Sequence, residues 1–186
     1  MRHSSPTLTV LAAQLTSNRP LPPVDCWNPP FSGDIDIEIA RNGVWRYAAD
    51  PIQREALVRL FASILRRDDD GHYYLVTPVE KWRIRVSDAP FVAVRVDAVG
   101  AGHDTTNVGD TVIAGPEHPL TVIYSAPGGE PSPYIHIRGR LMALLSRAVF
   151  VELAELGEER LTPDGREYGV WSQGCFFCLG ALDDGE

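Results

Sequence analysis

The tightest constraint on how this chain folds is the stretch Asp34-Ile35-Asp36-Ile37-Glu38-Ile39, where isoleucines and carboxylates alternate. Strand side chains point to opposite faces in turn, so the pattern sets three isoleucines on one side of a sheet and three acids on the other. A helix would scatter both sets around its circumference. Asn42-Gly43 follows directly, a dipeptide suited to the positive φ angles of a tight hairpin turn. The spacing predicts a half-buried strand over 33–40 and its return over 44–47.

A helix is expected next. Asp50 reads as its N-cap, Pro51 as its first residue, and Gln53 as the far member of a capping-box-like arrangement. Ile52, Ala56, Leu57, Leu60, Phe61, Ile64 and Leu65 recur at helical spacing. Arg66 and Arg67 would complement the negative end of the dipole. Asp70-Gly71 reads as a turn and 73–77 as a strand. From Pro78 to about Ile137 the signals are all β, with strands over 83–86, 91–99, 111–114 and 120–124 and a Pro/Gly-rich loop over 126–133. A second helix is expected over about 138–156, buried through Leu141, Leu144, Leu145, Ala148, Val149 and Leu156. An apolar strand pair around 170–179 and a short acidic tail end the chain. Pro20, Pro22 and Pro23 mark 1–24 as a tail.

Two echoes suggest internal duplication. Asp70-Gly71-His72-Tyr73-Tyr74 and Asp164-Gly165-Arg166-Glu167-Tyr168 both read Asp-Gly-x-x-Tyr after a helix and before a strand. Gly43-Val44-Trp45 returns as Gly169-Val170-Trp171. The expected fold is therefore α+β, a duplicated strand–helix–strand motif with a β-rich C-terminal part closed by a helix. The expected domains are a tail over 1–24, an N-terminal α+β domain over 25–77 and a β-rich C-terminal domain with one helix over 78–186.

Several runs carry a family resemblance: Trp27-Asn28-Pro29, Gly33-Asp34-Ile35-Asp36-Ile37, Gly43-Val44-Trp45-Arg46-Tyr47, Pro51-Ile52-Gln53-Arg54, Leu57-Val58-Arg59-Leu60-Phe61, Leu75-Val76-Thr77-Pro78-Val79-Glu80-Lys81, Asp88-Ala89-Pro90-Phe91 and Pro133-Tyr134-Ile135-His136-Ile137-Arg138-Gly139. Over about residues 26–180 the chain resembles the bacterial domain-of-unknown-function family 1285. The resemblance implies a duplicated α+β architecture whose C-terminal part is similar in outline to pleckstrin-homology-like folds. It also implies a ligand site on the face between the halves, nucleotide-like ligands and a signalling role. Cys175 and Cys178 lie outside the family pattern.

Composition narrows the function classes. The 186 residues include 25 acidic against 17 basic ones, a net charge of −8, so no broad nucleic-acid surface is expected. Three cysteines are too few for an oxidised secreted scaffold. The mildly apolar run from Leu8 to Leu15 lacks a signal-peptide pattern, and no stretch approaches the ~20 apolar residues of a membrane helix. A cytoplasmic location without a membrane partner is expected.

The candidate site is basic. Arg54 falls in the first turns of the first expected helix, and Arg138 and Arg140 flank the start of the second. Cations there oppose the dipole by about 0.3–1 kcal/mol each, which an anion bound at the same N-terminus would offset. The same arginines also fit a structural role, paired with Asp36, Asp50 or Glu80. Thr77, Pro78, Glu80 and Lys81 form a proline-containing connection suited either to ligand contact or to a rigid link.

Other constellations fail chemically. Cys175-Phe176-Phe177-Cys178 has only Cys26 as a further thiol for a zinc site and reads as buried packing. Placing the Asp68-Asp69-Asp70-Gly71 run in the calcium-loop frame puts Arg66 at the first ligand position and Thr77 at the last. His72, His103, His118 and His136 lack metal-ligand spacing. Gly100 to Gly109 has no phosphate-loop pattern, and Ser125 and Ser172 sit in no nucleophile elbow. Trp45 and Trp171, echoed in the repeat, read as packing residues. No metal, cofactor or catalytic residue is expected. The reading is a module for an anionic, nucleotide-like small molecule, with a protein-interaction domain or an enzyme using Glu80 as alternatives.

Overall fold

The computed structural model describes residues 21–97, 103–126, 129–163 and 165–182. The expected tail up to residue 20, Asp164 of the second echo and the acidic residues past 182 lie outside them. The chain forms two compact units. The first comprises the residues up to Ala40 together with Val44–Val86, and the second comprises Arg41–Gly43 together with Ser87 onward.

The N-terminal unit is a six-stranded sheet with one helix. Its strands are β1 (Phe31–Ile39), β2 (Trp45–Tyr47), β3 (Asp50–Pro51), β4 (Leu65–Arg67), β5 (Tyr73–Val76) and β6 (Lys81–Val86). They lie in the order β3-β2-β1-β6-β5-β4, with β1 and β6 parallel and every other pair antiparallel. Ile37 and Ile39 are fully buried on the inner face. Asp34 and Asp36 face solvent and pair there with Arg83 and Arg85 of β6. The helix α1 (Glu55–Ser63) sets Phe61 against Trp45, their rings stacked 6.1 Å apart. The alternation in the sequence thus places the core as expected.

The C-terminal unit contains β7 (Phe91–Asp97), β8 (His103–Thr106), β9 (Thr111–Ile113), β10 (Leu120–Tyr124), β11 (Pro131–Arg138) and β12 (Leu141–Leu145) in a second six-stranded sheet. Its order is β10-β11-β12-β7-β8-β9, with β12 parallel to β7. The helix α2 (Arg147–Glu155) packs on β7 through buried Val149 and Leu153. A three-stranded antiparallel sheet follows, β13 (Glu158–Thr162), β14 (Gly165–Ser172) and β15 (Cys175–Leu182). It buries Val170, Phe177 and Leu179. Tyr124 Oη and Ser172 Oγ donate to the carbonyls of Leu179 and Ala114, tying the two sheets together.

This architecture overturns the expected fold class. Strands make up 51% and helices 14%, with two α-helices among the described residues, so the protein is mostly β rather than a duplicated strand–helix–strand α+β fold. The second helix is not the closing element either, since three strands follow it. Two misread segments explain the difference. Asp50 and Pro51 do not cap a helix but pair with Tyr47 and Arg46 as an edge strand, where a proline costs no ladder bond. Leu141 to Leu145 is an apolar run that periodicity alone cannot assign, and it pairs with both β11 and β7 with every second residue buried.

The echoes are not equivalent positions. The first Asp-Gly turn joins β4 to β5 in a six-stranded sheet, whereas Gly165 of the second echo opens β14 in the three-stranded sheet. Trp45 is 2% exposed and Trp171 is 53% exposed, so they do not share a packing role. What the two units do share is strand order. Each six-stranded sheet is two three-stranded meanders joined by a parallel pairing of its first and last strands.

Candidate functional site

The residues expected to bind a ligand fall into three places. Arg54 is the N-cap of α1, with extended backbone and no side-chain capping bond. Its carbonyl accepts from the N–H groups of Leu57 and Val58. The N–H groups of Glu55 and Ala56 precede these first bonds, and an arginine side chain cannot accept from them. Arg54 itself is exposed.

Thr77, Pro78, Glu80 and Lys81 form the tight connection between β5 and β6. Thr77 is 1% exposed. Its hydroxyl accepts from the N–H groups of Val79 and Glu80, while its own N–H donates to the Glu80 carbonyl. The hydroxyl therefore holds the turn shut from inside. Pro78 is exposed, and the Glu80 carboxylate accepts from Trp82 Nε1 at 3.3 Å. Lys81 is committed to the fold, with Nζ 2.9 Å from Asp68 and 4.4 Å from the Tyr74 ring centroid.

Arg138 and Arg140 belong to the C-terminal unit and do not start a helix. Arg138 ends β11, where its guanidinium lies 5.0 Å from the ring centroid of the buried Phe91 and 2.6 Å from Asp110. Arg140 is exposed in the turn to β12. Of the three expected cations, Arg54 alone sits at a helix start.

The electrostatic centre of the N-terminal unit is Asp68, which pairs with both Arg66 and Lys81. Arg66 reaches it at 2.6 and 3.2 Å, and Arg66 Nη1 also donates to the carbonyls of Val24 and Trp27. Partial burial pushes the Asp68 carboxyl upward, but the hydrogen bonds from Arg66 and Lys81 outweigh it and hold it below the ordinary carboxylate range. Asp70 is lowered by the hydrogen bond from Tyr74, helped by the His72 N–H. Tyr74 in turn is pushed up to about 12, first by burial and then by its bond to Asp70. Asp34 is lowered chiefly by its hydrogen bond from Arg83.

A second cluster lies in the C-terminal unit. Asp88 accepts from Tyr134 Oη at 2.8 Å and pairs with Arg41 Nε at 3.0 Å, and Arg41 also donates to Ser132 Oγ. Burial, then the bond to Asp88, raises the Tyr134 phenol. Asn107 accepts from the Val92 N–H and donates to the Gly43 carbonyl. These contacts link residues far apart in sequence, so no local motif announces them. Each shifted carboxylate lies below its usual range, with Arg, Lys or Tyr as its partner. Such groups hold charge in place and do not shuttle protons at neutral pH.

The remaining constellations are also located. Among the described residues no cluster of three or more His, Cys, Asp or Glu could hold a metal ion. The cysteines are free, and Cys178 is exposed with Cys175 half-buried, which corrects the expectation of buried packing. Among the described residues no helix is long and apolar enough to cross a membrane.

The comparisons agree with the sequence runs quoted above. The model described as "Domain of unknown function (DUF1285), N-terminal domain" matches residues 22–89, and "Protein of unknown function (DUF1285), C-terminal domain" matches residues 90–179. The chain belongs to the DUF1285 family, whose function is unknown. It is similar to the crystal structure of a DUF1285 family protein from Silicibacter pomeroyi DSS-3, at 47% identity over 95% of this chain and 96% of that one, with a TM-score of 0.84. It is also similar to a DUF1285 family protein from Shewanella baltica OS155, at 27% identity over 65% of this chain and 91% of that one, with a TM-score of 0.52. No curated protein matches the chain.

Proposed function

We propose that this protein is a non-catalytic module that binds an anionic, nucleotide-like small molecule, with Arg54 as its principal contact. The observation that carries the reading is the start of α1. An exposed arginine occupies the N-cap there, beside first-turn N–H groups that no side chain caps. Phosphate oxygens complement both features. Arg140, also exposed, lies in the C-terminal unit and is no part of this site. Thr77, Pro78 and Glu80 shape the β5–β6 turn, which follows directly on Val76, whose N–H donates to the carbonyl of Ile64 at the far end of α1. Lys81 contributes through the frame it holds with Asp68, whereas Arg138, held by Asp110, belongs to the C-terminal unit.

Thermal unfolding in the presence of pyrophosphate, ATP and GTP tests the reading. A ligand at one hundred times its Kd stabilises the folded state by about 2.7 kcal/mol, which raises the midpoint of a chain of this size by about 5–11 °C. The rise is expected in wild type and is expected to disappear in Arg54→Ala. The reading fails if no anion moves the midpoint, or if Arg54→Ala responds as wild type does.

A second reading, a protein-interaction domain, is favoured by the three-stranded sheet, where Leu161 is 82% and Trp171 53% exposed. A partner captured by wild type and lost in Trp171→Ala, with no response to small anions, selects it.

A further inference from the structure

One histidine of the C-terminal unit has both ring nitrogens turned toward acceptors. His136 Nδ1 lies 3.0 Å from the main-chain oxygen of Glu117, and Nε2 lies 2.8 Å from that of Gly139. A peptide carbonyl can only accept. A neutral imidazole has one N–H, so it satisfies one of these oxygens and turns a lone pair toward the other. The imidazolium has two N–H groups and satisfies both. We infer that His136 is a proton-operated clasp: protonated, it ties the segment ahead of β10 to the β11–β12 turn, and neutral, it releases one of them. The inference stands apart from the anion-binding reading.

The surroundings suit one positive charge. His118, ahead of β10, stacks on His136 with ring centroids 5.7 Å apart. Its Nδ1 lies 3.0 Å from the main-chain oxygen of His136, a contact that one N–H makes, so a neutral His118 completes the pair. On the same segment the His136 N–H donates to the Pro119 carbonyl, and the Glu117 side chain is exposed. Along β11 the nearest charges are Arg138, taken up by Asp110 of the β8–β9 connection, and Arg140 in the turn. Two residues earlier on the strand, Tyr134 is bonded to Asp88. Across β12 the paired residue is the uncharged Met142.

The clasp braces an irregular piece of backbone. Gly139 has a φ of +53°, and the β11–β12 register shifts between His136 and Arg138. The Nε2 contact crosses this bend and fixes the turn from which Arg140 projects. Losing the proton therefore frees one end of the clasp, either the segment ahead of β10 or the turn that carries Arg140.

Two measurements on the full chain test the clasp. In nitrogen-15-labelled protein at about pH 6, within the range where histidine charge normally changes, both ring nitrogens of His136 are expected to resonate as protonated. A bare ring nitrogen there overturns the inference. Thermal midpoints are then followed between about pH 6 and 8. The protonated form is the bonded form, so its stabilisation is present at the acid end and lost as pH rises. The wild-type midpoint is expected to fall by about 2–4 °C more than that of His136→Gln over this interval, and His118→Gln is expected to fall as wild type does. Equal slopes for wild type and His136→Gln overturn the clasp, as does a slope flattened in His118→Gln alone. If His136→Gln does not fold, the ring resonances still decide.

Discussion

Replacing Asp68 with asparagine probes the electrostatic hub of the N-terminal unit. The carboxylate is 19% exposed and faces Arg66 and Lys81, whose side chains are 14% and 20% exposed. Removing one partner from a fully buried pair costs about 3–5 kcal/mol, whereas exposed pairs contribute about 0–1 kcal/mol. Two features pull this site below the buried limit. Arg66 keeps the carbonyls of Val24 and Trp27, and Lys81 keeps the face of Tyr74, so neither cation is stranded. A loss of about 2 kcal/mol is expected, a fall of about 4–8 °C in the unfolding midpoint for a chain of this size. Urea titration at neutral pH, followed by tryptophan fluorescence, measures it. The sign of the pH dependence is fixed as well. The folded-state value of Asp68 is lowered, so its stabilisation is present above the unfolded carboxylate range near pH 4 and is lost as pH falls through the folded value. The deficit of Asp68→Asn is therefore full at neutral pH and shrinks in acid. A deficit under about 0.5 kcal/mol, the scale of ordinary surface changes, or one that persists unchanged below about pH 3, where carboxylates are protonated, would refute the reasoning.

Two further predictions concern single groups. Gly43 has a φ of +80°, and a Cβ there would stand 2.6 Å from Asn107 Nδ2, so Gly43→Ala is expected to cost at least about 1 kcal/mol and to lower the midpoint in thermal unfolding. Tyr74→Phe removes the hydroxyl that donates to Asp70 at 2.6 Å and is expected to cost about 1–2 kcal/mol near neutral pH. Because the Tyr74 value is raised to about 12, its contribution persists below the unfolded tyrosine range near pH 10 and is lost above it, and ultraviolet titration of wild type against Tyr74→Phe resolves the late-ionising phenol.

How much of this was legible in the sequence differs from segment to segment. The 34–39 alternation and Asn42-Gly43 give β1 and its turn directly, because both signals are local. Leu120 to Tyr124 is read with its observed bounds for the same reason. The start of α2 had a usable signal that went unread. Ser146 caps it, its hydroxyl accepting from the Val149 N–H, while the apolar run before it drew the expected helix too far toward the N-terminus. Nothing local marks the parallel pairings of β1 with β6 and of β12 with β7, each of which joins strands more than forty residues apart.

The same division runs through the candidate site. Sequence supplied the cations and the family, since residue type and motif spacing are visible without coordinates. Which cations are committed could not be read there. Lys81 reaches back thirteen residues to Asp68, and Arg138 meets Asp110 across the sheet end, while Arg54 stays exposed at an uncapped helix start. The alternation of isoleucine and carboxylate determined by itself that this chain builds sheets with one wet face, because strand geometry leaves that pattern no other use. Tertiary structure alone decided which strands meet, and with them which charges are neutralised, because an ion pair depends on distance in space and the sequence records distance only along the chain.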